Sequence, residues 1–265
     1  MNYSTRVNVA TAPGLEGADL TMVLPTYNER ERIAELVDAL FAACSPQGFR
    51  LEVVIVDDNS PEGTGAVADE LARVHRVQVI HRAGKLGLGT AVVAGFQAAS
   101  ASIVGVMDAD FSHPPALVPR MLETFTATDA DLVVASRYIR GGSTPNWPMK
   151  RRLLSRAACL LARPLSPIRD AASGFFLIRR DVARETSIKA GGFKICLELI
   201  ARSGVSRLVE VPYRFDDREQ GESKMSLREA AGYLVQLRDL YWLRFTGGRS
   251  RRWQYRQMAP VPADR

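Results

Sequence analysis

Two carboxylates separated by one residue are the part of this sequence best suited to hold a metal ion. Asp108 and Asp110 flank Ala109, directly after an apolar run at 102–107. From a turn, though not from a regular strand, both can reach one Mg²⁺ or Mn²⁺, hard cations that take oxygen ligands and further ligands from substrate phosphates. Such a metal would neutralise a departing diphosphate. Paired aspartates at a strand end are also ordinary turn chemistry, so their position in the fold decides between the two interpretations.

A second set of side chains has the chemistry to hold a nucleoside. A carboxylate of Asp57-Asp58 can accept hydrogen bonds from a base or ribose. Tyr27 could stack on a base, and Glu29 could bind base or ribose. The alternatives are structural: the aspartates would shape a turn, and Glu29 would be a first-turn acid of the following helix. Both interpretations stay open on the residues alone.

Four cationic residues are candidates for phosphate contacts: Arg137, Arg151, Arg218 and Lys224. Arginine binds phosphate through a bidentate fork and lysine as a point charge. The polar, glycine-containing segment 218–224 predicts a loop that closes on a ligand. The alternative for any one of them is a solvated surface charge, because the chain has 35 lysines and arginines.

Two neighbouring features are less specific. His113, three residues after Asp110, could be a metal ligand, or it could serve the start of a helix or the packing around it. The glycine-rich segment 84–89 matches neither GxGxxG nor GxxxxGK-[ST], which argues against a dinucleotide-binding or P-loop site.

The apolar runs between these polar clusters predict alternating strands and helices. The predicted strands are 20–24, 52–56, 77–81, 102–107 and 131–136. The predicted helices are 29–43, roughly 62–74, one ending near 99, and one after Pro114-Pro115. This alternation indicates a three-layer α/β fold with a mainly parallel central sheet and right-handed crossovers. Ligands bind such sheets at the carboxyl ends of the strands, where the polar clusters described above are expected to converge.

The second half of the chain is less regular. Further strands are predicted at 174–178 and 207–212, with amphipathic helices at 150–165 and 226–245. These helices could meet a lipid headgroup layer, with Trp242 and Trp253 at its level, or they could pack on the core. We expect a flexible N-terminus at 1–18, one domain at 19–225, and a C-terminal helix and basic tail at 226–265, with disorder confined to 1–18 and beyond about 247.

Composition narrows the class of protein. The chain has 265 residues and a net charge of +6, but no basic stripe interleaved with aromatic residues, so we exclude nucleic acid as a partner. Its three scattered cysteines predict neither a disulfide framework nor a zinc site. No apolar run approaches the ~20 residues that a transmembrane helix needs. The expected location is cytoplasmic, peripheral on the inner face of the membrane.

Eight motifs, in the expected order over about residues 20–225, together resemble glycosyltransferase family 2, in its dolichyl-phosphate (polyprenyl-phosphate) mannosyltransferase branch. They are PTYNE at 25–29, VDDNSPEGT at 56–64, GKLGLG at 84–89, MDADFSHPP at 107–115, SRY at 136–138, NWPMKRR at 146–152, SGFF at 173–176 and REQGESK at 218–224. The combination is far more specific than any single motif.

The resemblance implies a GT-A-like nucleotide-sugar transferase fold, a GDP-mannose donor, Mg²⁺ or Mn²⁺, and transfer to a polyprenyl phosphate with inversion. It implies a nucleoside site at Pro25, Tyr27, Glu29, Ile55 and Asp57. It assigns Asp108, Ala109 and Asp110 to metal and diphosphate, Arg137, Arg218 and Lys224 to phosphates, and Arg151 to the acceptor phosphate. One departure is Ser112, where some relatives have a metal-binding glutamine; another is that C-terminal membrane-spanning helices, which some relatives have, are absent.

Catalysis is expected to rest on Asp110, Arg137 and Arg151, through positioning and charge stabilisation. A phosphate monoester with a second pKa near ~6 is largely dianionic at neutral pH and needs little help from a base. The expected partners are a nucleotide-sugar donor, a polyprenyl phosphate and a membrane surface, with a membrane protein as a further candidate. The alternatives are the same scaffold using UDP-glucose or another nucleotide sugar, and a non-catalytic nucleotide-binding protein.

Overall fold

Strands and helices alternate through the first half of the chain, as predicted. The computed structural model describes residues 9–11, 17–189, 194–216, 227–246 and 252–260. The strands are β1 (Val9–Thr11), β2 (Leu20–Thr26), β3 (Leu51–Asp57), β4 (Val77–His81), β5 (Ile103–Val106), β6 (Leu132–Ser136), β7 (Phe176–Arg179), β8 (Arg207–Pro212) and β9 (Gln254–Gln257). The helices are α1 (Arg30–Cys44), α2 (Thr64–Val74), α3 (Leu88–Ala98), α4 (Val118–Ala127), α5 (Met149–Ala162), α6 (Arg180–Glu185), α7 (Ile195–Arg202) and α8 (Leu227–Thr246).

One sheet connects all the strands of the described residues, in the order β1-β4-β3-β2-β5-β7-β6-β8-β9. Pairing is parallel except for β1 on β4 and for β7, which lies antiparallel between β5 and β6. The carboxyl ends of the parallel strands therefore share one edge, and ligands bind such sheets there. Since β7 runs the other way, the residues just before it reach the same edge.

The central strands are buried on both faces, which explains their nearly continuous apolar runs. Every residue of β3 is buried. One apolar cluster packs α1, α2 and α4 on one face, and another packs α3, α5, α6, α7 and α8 on the other. The expected three-layer arrangement is confirmed. Helix α1 shows the local reason, since Ile33, Leu36, Val37 and Leu40 recur at helical spacing and are fully buried.

The chain ends depart from the prediction. Disorder was expected at 1–18 and beyond about 247, which is wrong for the segments that form β1 and β9. Strand β9 pairs in parallel with β8, in the register Leu208 to Tyr255. Trp253 and Tyr255 pack against the second apolar cluster, so burial fixes a segment that composition alone marked as a solvated tail.

Two other expectations concern cysteine and the membrane. Cys44, Cys159 and Cys196 are free and buried. Within the described ranges, none of the helices combines the length and the apolar composition needed to cross a bilayer.

Candidate active site

The turn after β5 places the two carboxylates of the Asp-Ala-Asp motif differently. Asp110 is 4% exposed, and its Oδ1 accepts the N–H of Ser112 at 3.0 Å. The side chain of Asp108 is 44% exposed. Phe111 closes the turn with a φ of 63°, a left-handed conformation that takes the chain out of the strand direction. The turn thus presents Asp108 outward and holds Asp110 inward, at the edge where ligands were predicted.

His113 stabilises this turn through a hydrogen bond to its backbone. Its Nδ1 accepts the backbone N–H of Asp108 at 3.0 Å, and its ring stacks on Phe175 with centroids 5.1 Å apart. Burial lowers the pKa of His113, although the carboxylates of Asp108 and Asp110 oppose that shift. A buried, neutral ring that accepts a backbone hydrogen bond favours the packing alternative for His113.

The carboxylates fit a hard divalent cation. Gly174, just before β7, leaves space beside Asp108, because a Cβ there would lie 3.5 Å from Oδ2 and 3.6 Å from Oδ1. Among the residues that the structure describes, no three His, Cys, Asp or Glu side chains form a group able to hold a metal. Two carboxylates with the remaining positions open suit Mg²⁺ or Mn²⁺, which keep waters and take substrate phosphates. Asp108 and Asp110 are the residues that would hold such an ion.

Arg137 follows β6 and is held by a buried carboxylate. Its Nε and Nη2 each donate to Asp170 at 2.7 Å, and its backbone N–H donates to Asp170 Oδ2 at 2.9 Å. Asp170 is fully buried. Burial alone would lower the pKa of Arg137, but Asp170 outweighs it and raises that pKa. The guanidinium is therefore a permanently charged group with a fixed orientation.

An aromatic cluster connects Arg137 with Arg151. The guanidinium carbon of Arg137 lies 5.2 Å from the ring centre of Trp147, and that of Arg151 lies 4.0 Å from the same ring. Phe215 packs edge-on against both Trp147 and His113, with centroids 5.2 and 6.0 Å apart. The two predicted phosphate-binding arginines and the support of the Asp-Ala-Asp turn thus belong to one packed unit.

The predicted nucleoside residues lie at the ends of β2 and β3. The Tyr27 ring is 38% exposed, and the Lys85 ammonium lies 3.9 Å from its centre. Asp57 is 3% exposed and accepts the hydroxyl of Ser60 at 2.5 Å and its N–H at 3.1 Å. The structural alternative for Asp57, a turn, is therefore present. The backbone N–H of Glu29, the residue that precedes α1, donates to Thr64 Oγ1 at 3.0 Å.

The remaining assigned residues divide into those inside the fold and those outside the described residues. Pro25 pairs with Val56 across the sheet and is partly buried. Ile55 and Ala109 are buried in the first apolar cluster. Arg218 and Lys224 lie outside the described residues, so their predicted phosphate contacts stay predictions.

The structure adds three charged residues that the spacing did not indicate, namely Arg82, Lys194 and Asp170. A buried ion pair of 2.6 Å joins Asp58 to Arg82, whose Nη1 also donates to the Gly87 carbonyl, so the pair anchors the glycine-rich segment. Lys194 immediately precedes α7, and burial, followed by the charge of Arg137, lowers its pKa while Asp108 opposes the shift. Asp170 is the most closely engaged of the missed residues. No sequence spacing relates it to Arg137, and a buried arginine that needs a partner was the available signal.

Residues 21–187, more than half of the chain, match the family described as Glycosyl transferase family 2. The chain is 39% identical over 219 residues to a dolichol-phosphate mannosyltransferase of Pyrococcus furiosus, covering 81% of this chain but only 61% of that protein. It is 37% identical to the dolichol-phosphate mannosyltransferase of Saccharomyces cerevisiae, covering 86% of this chain and 88% of that protein. It is 42% identical to a polyprenol monophosphomannose synthase of Mycolicibacterium smegmatis, covering 79% and 83% respectively.

Solved structures establish the fold as the GT-A type of glycosyltransferases. A Mycobacterium tuberculosis glucosyl-3-phosphoglycerate synthase, in complex with Mn²⁺, UDP and phosphoglyceric acid, superimposes with a TM-score of 0.60 at 22% identity, over 88% of this chain and 81% of that one. A Pyrobaculum calidifontis mannosyltransferase in complex with GDP-mannose and Mn²⁺ also gives 0.60, at 20% identity, over 86% and 65%. At these identities the likeness concerns the fold alone.

Proposed function

Because the chain belongs to glycosyl transferase family 2, we propose that it transfers mannose, with inversion, from GDP-mannose to a polyprenyl or dolichyl monophosphate. The observation that carries the proposal is that Arg137, Arg151 and the His113 that supports the Asp-Ala-Asp turn belong to one packed unit at the carboxyl edge of the sheet. Relatives that are 37–42% identical are named dolichol-phosphate mannosyltransferase or polyprenol monophosphomannose synthase, which supports mannose and the lipid phosphate.

We propose a divalent metal, Mg²⁺ or Mn²⁺, as the cofactor. The outward carboxylate of Asp108 and the space beside Gly174 support it, and two structural neighbours contain Mn²⁺. When bound, such an ion neutralises charge that develops on a leaving diphosphate. His113 fixes the backbone that presents Asp108, so the ligand orientation does not depend on the ion.

The protein's own contribution is to position charged groups. A phosphate monoester acceptor, with its second pKa near ~6, is already a nucleophile at neutral pH and requires no strong general base. Arg137, fixed by Asp170, is a preorganised cation that needs no rearrangement during the reaction. Arg151, stacked on Trp147 at the start of α5, would bind the acceptor phosphate. In this proposal Asp110, the buried carboxylate of the turn, would hold the metal ion together with Asp108.

The donor nucleotide is the part of the proposal with a direct rival. UDP-glucose or another nucleotide sugar would use the same scaffold, and a solved neighbour of the same fold contains UDP. The named relatives favour mannose, and one structural neighbour contains GDP-mannose. A non-catalytic nucleotide-binding protein is disfavoured because both metal-binding carboxylates are present.

We also propose that helices α5 and α8 meet a membrane surface. Tyr233 and Tyr241 of α8 donate to the carbonyls of Ala158 and Leu161 in α5, which joins the helices. Large apolar side chains of both helices remain exposed: Met149, Leu153, Leu154, Leu160, Leu161, Leu234, Val235, Trp242, Leu243 and Phe245. Helix α8 also has a buried face, and Trp253, expected at the headgroup layer, packs instead against the second apolar cluster.

The donor is tested by supplying labelled GDP-mannose or labelled UDP-glucose with a short polyprenyl phosphate and Mn²⁺. The proposal predicts a mannolipid of inverted anomeric configuration from GDP-mannose, and a rate with UDP-glucose lower by at least about a hundredfold. Glucolipid as the main product would replace the donor. Absence of product from both donors would favour the non-catalytic alternative.

A further inference from the structure

The C-terminal strand touches the candidate active site through one buried carboxylate. Tyr255 of β9 donates its hydroxyl hydrogen to Glu210 Oε2 on the neighbouring strand β8. Glu210 is fully buried, and its two carboxylate oxygens also accept the backbone N–H groups of Arg169 and Asp170, each at 3.0 Å. Through Glu210, strand β9 is thus connected to residues 169–170, and Asp170 is the carboxylate that binds Arg137.

A hydrogen-bonded path continues from that loop to the arginine. Asp170, whose N–H is held by Glu210, binds the backbone N–H, Nε and Nη2 of Arg137 with its own carboxylate. Asp170 is fully buried, and the Arg137 side chain is 9% exposed. Water competes little with these bonds, so a change at one of them is transmitted to the next.

Strand β9 and the described residues that follow it are anchored at several points. The N–H of Gln254 donates to the Ser206 carbonyl and the N–H of Met258 to the Glu210 carbonyl, both at 2.8 Å. Gln257 Nε2 donates to the Tyr255 hydroxyl oxygen at 2.5 Å, which fixes the direction in which that hydroxyl donates. A Cβ on Gly141 would lie 2.6 Å from Pro260, so the tail also packs against the segment that follows Arg137.

We infer that Tyr255, Glu210 and Asp170 form a relay through which the C-terminal strand positions Arg137. The inference rests on the proposed function in one respect, namely that Arg137 acts on a phosphate of donor or acceptor. Tyr255, Glu210 and Asp170 are positioning residues, because each acts through the next and only Arg137 meets the substrate. Strand β9, in a segment for which the sequence predicted disorder, then contributes to the geometry of the transferase site.

The relay is tested by comparing Tyr255→Phe with the matched control Tyr233→Phe. Tyr233 also donates a buried hydroxyl, at 2.7 Å to the Ala158 carbonyl, but lies outside the relay. Amide hydrogen exchange is measured at Asp170 and Arg137, whose N–H groups form successive bonds of the path. Tyr255→Phe is expected to accelerate both by about tenfold, the cost of one bond to a charged group, and Tyr233→Phe neither. Exchange that is unchanged at Arg137, or equal in the two variants, would overturn the relay.

The kinetics of Tyr255→Phe provide a second test, because a general loss of stability would not produce the expected pattern of kcat and KM. Tyr255→Phe is expected to lower kcat about tenfold with little change in KM, since the arginine is misplaced rather than removed. In an Arg137→Lys background the same substitution should change kcat by less than about twofold, because the relay then has no guanidinium to orient. An undiminished effect in that background would overturn the inference. If the wild-type protein transfers no sugar, the proposed function fails, and the exchange measurement alone decides the relay.

Discussion

At the residue scale, we expect metal binding to depend on the space beside Asp108 as well as on its carboxylate. Gly174 lies where any side chain would face both oxygens of Asp108, and its neighbour Phe175 stacks on His113. If Asp108 holds the proposed cation, a glycine at this position would leave room for that cation and its remaining ligands. We propose this as the role of Gly174 within the SGFF motif at 173–176.

Replacement of Gly174 by valine should weaken metal binding without unfolding the protein. Its Cβ would make an ordinary contact at 3.5 Å with Asp108 Oδ2, and its methyl groups would add bulk next to that carboxylate. We expect the affinity for Mn²⁺ in the presence of GDP to fall by about tenfold, as for other changes next to metal ligands. Calorimetric titration measures it, with Gly204→Val as the control because a Cβ there has open space. Wild-type affinity in Gly174→Val would exclude this position from the metal site.

The sequence predicted the two carboxylates of the Asp-Ala-Asp turn, but not the residues that support the site. Asp108 and Asp110 were identifiable because two carboxylates follow an apolar run at a strand end. Asp170 was not, since it lies 33 residues beyond Arg137 and meets it only through the folded sheet. The residues alone left two interpretations of Asp57 open, and the structure shows the turn.

At the element scale, the amino end of β6 is joined to β8 by one partly buried carboxylate. Asp131 accepts the N–H groups of Ser206 and Arg207 at 2.9 and 3.0 Å and the Arg207 guanidinium at 2.8 Å. Burial raises the pKa of Asp131, but these hydrogen bonds outweigh it and lower the pKa to about 2. This junction stabilises the end of the sheet opposite the site.

Asp131→Asn should destabilise the protein at neutral pH by about 2 kcal/mol, which is the free energy that corresponds to this pKa shift. Because the folded-state pKa is depressed, that stability is present above about pH 4 and is lost as the pH falls towards 2. Urea unfolding at pH 7 and at several acidic values measures it. Between about pH 4 and pH 2, the free energy of unfolding of Asp131→Asn should fall less than that of the wild type. Glu35→Gln is the control, since Glu35 is exposed on α1. Equal stability of both variants at pH 7 would contradict the account.

Strand order illustrates what periodicity cannot predict. The short runs that became β2 to β6 were evident from their apolar residues, and so was β8. Strand β9 has one aromatic residue among polar ones in a basic segment, and only its pairing with β8 and the partial burial of Tyr255 make it a strand. The antiparallel direction of β7 likewise depends on its place between β5 and β6, which no local pattern determines.

At the scale of the whole molecule, the exposed apolar faces of α5 and α8 lie on one side of the sheet. Arg151, which would bind the acceptor phosphate, is at the beginning of α5 and so borders this surface. A lipid phosphate approaching from a membrane would reach the site along it. The position of Arg151 therefore connects the proposed membrane surface with the proposed binding of the acceptor phosphate.

Vesicle sedimentation tests the membrane surface. Trp242 and Phe245 are 71% and 80% exposed, and replacing both by serine should weaken binding to anionic phosphatidylglycerol vesicles by tenfold or more, given ~1.5–3 kcal/mol for each large apolar side chain buried. Val74→Ser is the control, because Val74 is 74% exposed on α2, on the opposite side of the sheet. Equal binding of the double variant and the control would show that this face does not meet lipid.

The most direct test of the central claim is transfer of labelled mannose from GDP-mannose to a short polyprenyl phosphate, with Mn²⁺ and after chelation. Asp108→Asn and Asp110→Asn, which keep side-chain size but remove the charge, are assayed beside the wild type. The account predicts a metal-dependent mannolipid whose rate of formation falls by at least about a hundredfold in both variants. A mannolipid formed at the wild-type rate without metal and in both variants would contradict it.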